Sequence, residues 1–174
     1  MRSAKILFLI VIALFSCNKN ELTKDQALSL LEQSDRYPYV HSYQIYVKDS
    51  EDGKRVINAG LEKEGLVKVE RNRKSGNNEG NVIEFTEAAK TYFLEPDKGQ
   101  LSSVQRVKVA EEVLGEVTSL EIDEEGKSAK ATYTTKFTGV TPFAKLEKKA
   151  FGEPRSHEVK FIKDKNGWRM ERSE

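Results

Sequence analysis

The chain begins with an uninterrupted apolar run and continues with alternating patterns. Residues 6–15 are all apolar, and Arg2 and Lys5 precede them. A permanent membrane-spanning helix needs about 20 apolar residues, so this run is too short to cross a bilayer. A positively charged N-terminal segment followed by a short apolar stretch is typical of a secretory signal peptide. The sequence predicts such a peptide over residues 1–16. The alternative, a buried core helix, would carry polar residues at some of these positions.

The next pattern predicts an amphipathic helix over residues 23–34. Thr23 and Gln26 have the spacing of a capping box, in which each side chain bonds to the other residue's backbone N–H. Leu28 and Leu31 belong to an apolar stripe at helical spacing. We expect this stripe to pack on the aromatic face of a sheet.

Further along the chain, apolar and polar residues alternate, which is the period of a strand with one covered face. The clearest stretches are residues 43–47, 129–137, 157–161 and 167–170. Between the first two, the sequence predicts an exposed turn at residues 49–53, a short helix over 55–63, a hairpin of strands 66–70 and 82–85, and a helical turn at 86–93.

In the long stretch before residue 123, the apolar residues change from odd to even sequence positions. Val113 and Val117 share one parity, whereas Leu120 and Ile122 share the other. Because a shift of one residue turns side chains to the opposite face of a strand, a bulge is expected, and Gly115 is the natural place for it. Such a bend would make one face of the sheet concave.

These elements predict an α+β fold with an N-terminal helix packed on a curved, bulged antiparallel sheet. Their order, together with the ending Gly-Trp-Arg-Met at residues 167–170, resembles the cystatin-like and NTF2-like families, which fold a curved sheet around a helix. The resemblance implies a concave face that can hold a ligand. The candidate lining residues of such a pocket are Tyr133, His157, Phe161 and Trp168. Aromatic residues at alternating spacing are more often core, so we expect the helix to fill the concavity.

Charge and composition exclude several classes of protein. The sequence has 29 Lys and Arg against 28 Asp and Glu, whereas proteins that coat nucleic acid usually have a basic excess. The one Cys excludes an internal disulfide, and one Cys with two His makes a zinc site unexpected. No metal, cofactor or nucleic-acid partner is therefore expected.

No set of residues forms a catalytic signature. His41 and His157 are far apart in sequence and lack a metal-binding spacing. Glu111 and Glu112 are expected to point to opposite faces of one strand, so they do not make the facing carboxylate pair of acid–base hydrolysis. The sequence predicts a protein that is not an enzyme.

The segment Leu-Phe-Ser-Cys at residues 14–17 places a small residue before the only Cys. This segment resembles the lipobox of bacterial lipoproteins, although Phe15 is bulkier than the commonest residue at its position. The resemblance implies that Cys17 becomes the new N-terminus and carries acyl chains such as palmitate, and several chains on one residue anchor a protein stably. In the alternative, a secreted protein has Cys17 near an ordinary cleavage site.

Removal of residues 1–16 leaves 27 basic and 28 acidic residues, a net charge of −1. By resemblance to enterobacterial lipoproteins, Asp after the acylated Cys would favour the inner membrane, but Asn18 stands there. We therefore expect the outer membrane of a Gram-negative bacterium. Residues 17–21 would form the lipidated Cys and a short tether, and residues 22–174 a single α+β domain.

The resulting expectation is a non-enzymatic binding or assembly module in the cell envelope, with the membrane and envelope proteins as partners. The alternative is an NTF2-like enzyme or small-ligand binder that uses His157 and a nearby carboxylate.

A remote alternative is DNA binding, because residues 61–87 resemble the helix and wing of winged-helix proteins. Basic residues at the tip of the hairpin would suit phosphates: Lys68, Arg71, Arg73 and Lys74. An exported protein does not meet the chromosome, so this alternative conflicts with the signal peptide.

Overall fold

The structure is a computed structural model that describes residues 21–71, 80–99 and 101–171. The predicted signal peptide and Cys17 lie outside the described residues.

The described chain is an α+β fold with two α-helices, seven strands and two short 3-10 helices. Its elements are α1 (Lys24–Glu32), β1 (Tyr39–Tyr46), α2 (Ser50–Asn58), β2 (Val67–Val69), β3 (Ile83–Phe85), a 3-10 helix (Glu87–Tyr92), β4 (Val104–Ile122), β5 (Ser128–Thr138), a second 3-10 helix (Pro142–Leu146), β6 (Arg155–Asp164) and β7 (Gly167–Met170). Five strands form a strongly curled antiparallel sheet in the order β1-β4-β5-β6-β7, and β2 and β3 form a separate hairpin. None of the described helices is long and apolar enough to span a membrane.

The capping box predicts the start of α1 correctly. The Thr23 hydroxyl accepts from the Gln26 backbone N–H at 3.2 Å, and the Gln26 side chain accepts from the Thr23 N–H at 3.0 Å. Ala27 and Leu31 are fully buried. They belong to one apolar cluster with sheet residues that include Phe161.

The predicted bulge at Gly115 is confirmed. The pairing of β4 with β5 shifts between Leu114 and Val117. A Cβ atom on Gly115 would lie 2.5 Å from the Thr134 hydroxyl oxygen and 3.0 Å from the Thr134 carbonyl oxygen, so only glycine fits there. The Thr134 hydroxyl also accepts from the Glu116 N–H at 3.2 Å, which satisfies a backbone group at the bulge.

A second irregularity lies where β4 pairs with β1. His41 lies opposite Ala110, but Ser42 lies opposite Lys108, so Val109 is an extra residue on β4. Val109 and Ala110 are consequently both buried although they are adjacent in sequence. The pairing of β4 with β5 shifts once more between Val117 and Ser119, so three irregularities in one 19-residue strand give the sheet places to bend.

Three apolar clusters are built on the sheet. The first contains α1 residues with parts of β4, β5 and β6, the second contains α2 and the β2–β3 hairpin with Phe143, and the third is a small group around Val109. Along β5, alternate residues are covered, and one of them is polar: Thr135 is 1% exposed. Glu112 on the neighbouring β4 is 6% exposed, so the covered side of the sheet includes a polar site.

The predicted exposed turn at residues 49–53 is wrong. Asp49 is the N-cap of α2, and its side chain accepts from the Glu51 N–H at 2.7 Å. Asp52 and Gly53 are buried inside the helix. The Asp52 carboxylate accepts from the Tyr46 N–H at 2.7 Å, which joins the end of β1 to α2. The helix predicted over residues 55–63 therefore begins earlier and ends at Asn58, whereas the hairpin and the helical turn after it are confirmed.

Replacing Gly115 with Ala should destabilise the protein, because the new methyl group collides with Thr134. We expect the free energy of unfolding to fall by about 1–3 kcal/mol, as for other overpacked sites. Gly152→Ala is the matched control, since a Cβ atom there meets nothing within 4 Å. Urea denaturation of both variants measures the difference, and equal stabilities would contradict the close approach.

Candidate functional site

Both histidines of the chain lie beside the Glu112 carboxylate. His41 is on β1, Glu112 on β4, Thr135 on β5 and His157 on β6, which are four consecutive strands of the sheet. Residues far apart in sequence therefore meet across the sheet. We call these four side chains the Glu112 centre.

Hydrogen bonds connect the Glu112 centre. His41 Nε2 lies 2.8 Å from Glu112 Oε2, and the Thr135 hydroxyl donates to Glu112 Oε1 at 2.5 Å. His157 Nε2 lies 2.9 Å from the Thr135 hydroxyl and 3.4 Å from Glu112 Oε1. The carboxylate thus accepts hydrogen bonds from side chains on the two strands beside it, and His157 on a third strand lies close to it.

The network assigns the tautomers of both histidines. An ionised carboxylate only accepts, so the Thr135 proton points to Glu112 and the Thr135 oxygen accepts from His157 Nε2–H. By the same argument, His41 Nε2 carries a proton towards Glu112. His41 Nδ1 is then the acceptor for the Lys149 ammonium, which lies 3.3 Å away.

Glu112 is held in its ionised form. The Glu112 side chain is 7% exposed, and this burial on its own would raise the pKa of the carboxyl. Hydrogen bonds from Thr135 and His41, together with the positive charge of Arg155, outweigh the burial and lower the pKa of Glu112 below its ordinary value. The carboxylate is therefore charged at neutral pH.

Two tyrosines cover the His157 side of the Glu112 centre. The Tyr133 ring stacks on the His157 ring with centroids 5.2 Å apart and planes 25° apart. The Tyr37 and Tyr133 hydroxyls lie 3.2 Å from each other. Burial and this hydrogen bond raise the pKa of Tyr37 well above its ordinary value, so its hydroxyl keeps its proton.

A row of aromatic rings continues from the His41 side. The His41 ring makes edge contacts with Tyr39 at 4.7 Å and with Phe137 at 5.2 Å between centroids, and Phe137 makes one with Phe151 at 4.9 Å. Two cations approach this row: Lys149 Nζ lies 4.6 Å and Arg155 Cζ 5.7 Å from the Phe137 centroid. We call the set Tyr39, Phe137, Lys149, Phe151 and Arg155 the cationic–aromatic rim.

The four predicted lining residues have different surroundings. Tyr133 and Phe161 are 4% and 0% exposed and belong to the apolar cluster that includes α1. Trp168 packs at the edge of that cluster and lines a groove of about 490 Å³ between α1 and β7. His157 is half-buried and stacks on Tyr133 beside Glu112. The structure therefore places His157 and Trp168 at two separate features.

Sequence reasoning missed Glu112, Thr135 and the place of His41 beside them. The sequence shows two adjacent glutamates without indicating which faces the covered side. The extra residue at Val109 shifts the register with β1 and places Glu112 near His41. Within the described ranges, no group of three His, Cys, Asp or Glu side chains could hold a metal ion.

The predicted basic hairpin tip is described only in part. Arg73 and Lys74 lie outside the described residues. Arg71 donates to the Glu62 carboxylate, so its charge is already paired.

No family model, curated protein or solved structure matches this chain. A function for this chain is therefore inferred from its sequence and from the geometry of the Glu112 centre.

Glu112 should make the stability of the protein depend on acidity. A carboxyl whose pKa is lowered by folding stabilises the fold at pH values above its unfolded pKa of about 4.5. This contribution is lost as the pH falls through the pKa of the folded state. Glu112→Gln should lower the free energy of unfolding by about 1–3 kcal/mol at neutral pH, because buried hydrogen bonds are disrupted. It should also weaken the decline of stability below pH 4.5.

Glu111→Gln is the matched control, because the adjacent Glu111 is more exposed and pairs with Lys108 near the surface. Chemical denaturation at pH values from about 3 to about 7, the range in which carboxyl groups titrate, compares the free energies of unfolding of the two variants. Identical pH profiles for the two variants would refute the role of Glu112.

Proposed function

We propose that this chain is a lipid-anchored cell-envelope protein of a Gram-negative outer membrane whose folded body acts as a non-enzymatic binding or assembly module. The observation that carries the proposal is the Leu-Phe-Ser-Cys segment at residues 14–17, directly after the apolar run. The membrane would be contacted through acyl chains on Cys17, and envelope proteins are the proposed partners.

The charge of the mature chain supports attachment by lipid. A net charge of −1 gives the body no general attraction to anionic headgroups, so acyl chains must supply the binding. Glu21 follows Cys17 by four residues, which span at most about 14 Å when fully extended. The folded body would therefore stay close to the membrane surface.

The proposal includes the arrangement of the body. Residues 22–174 would form one domain in which α1 lies on the concave side of the curled sheet, as in the cystatin-like and NTF2-like families. The burial of Ala27 and Leu31 in one cluster with Tyr133 and Phe161 supports this arrangement. In such a domain the binding surface would be a rim or a loop, and the cationic–aromatic rim fits this description.

Metabolic labelling with radioactive palmitate tests the anchor. The wild-type chain should take up label and sediment with membranes, whereas Cys17→Ala should remain unlabelled, since it lacks the thiol that is acylated. Ser16→Ala is the matched control, because it keeps both the thiol and a small residue before it. An unlabelled wild type, or a labelled Cys17→Ala variant, would refute the proposal.

A second candidate function is an NTF2-like enzyme or small-ligand binder centred on His157. The observation that favours it is the Glu112 carboxylate 3.4 Å from His157 Nε2, with the Thr135 hydroxyl between them at 2.9 Å from the imidazole. A carboxylate that orients an imidazole is a common arrangement for moving protons.

Native mass spectrometry of the chain purified from its own membrane tests this candidate. A ligand held at His157 should appear as a fixed added mass that His157→Ala loses, because the substitution removes the contacting ring. Ser156→Ala changes the exposed neighbour and should keep the added mass. A wild type without any added mass would count against the candidate, as would a His157→Ala variant that retains it.

A further inference from the structure

We infer that the cationic–aromatic rim binds a small organic anion. The carboxylate or phosphate of the ligand would lie between Lys149 and Arg155, and its apolar body would rest on Phe137 and Phe151. This inference rests on the binding half of the proposed function and is independent of the lipid anchor.

The rim carries positive charge that has no carboxylate partner among the described residues. In the part of the chain that the structure describes, neither Lys149 nor Arg155 forms an ion pair with a carboxylate. Glu112, the buried carboxylate nearby, already accepts hydrogen bonds from His41 and Thr135. The two positive charges of Lys149 and Arg155 therefore stand against the one negative charge of Glu112.

Several other cations of the same sheet are paired, although Lys136 on β5 has no ion pair within the described residues. Lys130 lies 2.7 Å from the Glu158 carboxylate, and Arg169 lies 3.0 Å from the Asp164 carboxylate. These pairs are exposed and leave no positive charge in excess. Lys149 and Arg155 differ from these paired cations because both lie over one aromatic ring, that of Phe137.

The two cations of the rim lie close to each other. Both approach the Phe137 ring, so Lys149 Nζ and Arg155 Cζ lie no more than about 10 Å apart. The Lys149 ammonium also lies 5.6 Å from the Phe151 centroid. A phosphate or carboxylate placed between the cations would therefore adjoin an aromatic surface, which suits a ligand with a charged end and an apolar or aromatic body.

A hydrogen bond to His41 orients Lys149 at the rim. An ammonium has three hydrogens, and His41 Nδ1 accepts one of them at 3.3 Å. Glu112 holds the other side of the His41 ring, so the acceptor is fixed in place. Lys149 is thereby oriented while two of its hydrogens remain for a ligand, and His41 and Glu112 act as positioning residues.

Isothermal titration of the full-length chain in detergent with phenyl phosphate tests the inference. Phenyl phosphate should bind about tenfold more tightly than inorganic phosphate or glycerol 3-phosphate, because only the first adds an aromatic body to the charge. Equal affinities for all three probes would overturn the inference, as would the absence of phenyl phosphate binding. Tighter binding of glycerol 3-phosphate, which represents a lipid headgroup, would also overturn it.

Two double variants with the same change of net charge locate the site. Lys149→Ala with Arg155→Ala should weaken phenyl phosphate binding by about tenfold or more, since both charged contacts are lost. Lys130→Ala with Arg169→Ala should bind like the wild type. Lys149→Gln with Arg155→Gln keeps the polar length of the side chains and should show the same loss as the alanine pair. Wild-type affinity in either rim variant would refute the site.

The Cys17→Ala variant separates this inference from the anchor. It should bind phenyl phosphate with the wild-type affinity, because the rim does not include Cys17. If palmitate labelling fails and binding persists, the anchor is wrong and the anion site stands. If labelling succeeds and phenyl phosphate does not bind, the anion site is wrong and the anchor stands.

Discussion

A carboxylate on the covered side of a sheet needs a hydrogen-bond donor at each oxygen, because an unpaired buried charge is strongly destabilising. Glu112 meets this requirement with donors from the two strands beside it, His41 on β1 and Thr135 on β5. His157 on β6 supports the network by donating to Thr135. The centre of the sheet therefore has a specific polar connection in addition to the backbone ladder.

The same network connects the interior to the surface. His41 donates to Glu112 through Nε2, and its Nδ1 accepts from Lys149. Lys149 in turn lies over the Phe137 ring at the rim. The buried charge thereby orients an exposed cation through one imidazole. The hydrogen bonds that satisfy the buried Glu112 carboxylate would thereby also orient the surface that we propose as an anion site.

Local patterns predicted the elements well because their causes are local. The capping box at Thr23 and the parity change around Gly115 act within a few residues, and both are found in the structure. The segment at residues 49–53 was predicted wrongly because an Asp that caps a helix looks like an Asp in a turn. A second Asp distinguishes the helix, because Asp52 accepts from the Tyr46 N–H, and sequence spacing does not show this contact.

The candidate site could not be predicted because it depends on pairing between distant strands. His41 and Glu112 are separated by 71 positions, and His157 belongs to a strand near the other end of the chain. Their meeting depends on the strand order and on the extra residue at Val109. Sequence reasoning therefore indicated a histidine with a nearby carboxylate, but it did not identify the carboxylate.

The buried Leu22 at the start of the described chain has a mechanical consequence. Leu22 is 3% exposed and directly precedes the N-cap of α1. The described chain therefore enters its first apolar cluster at its second residue. Tension applied through the N-terminus would act on that cluster at once. Because α1 contributes Ala27 and Leu31 to it, such a force would pull the helix away from the sheet before it loaded the strand ladder itself.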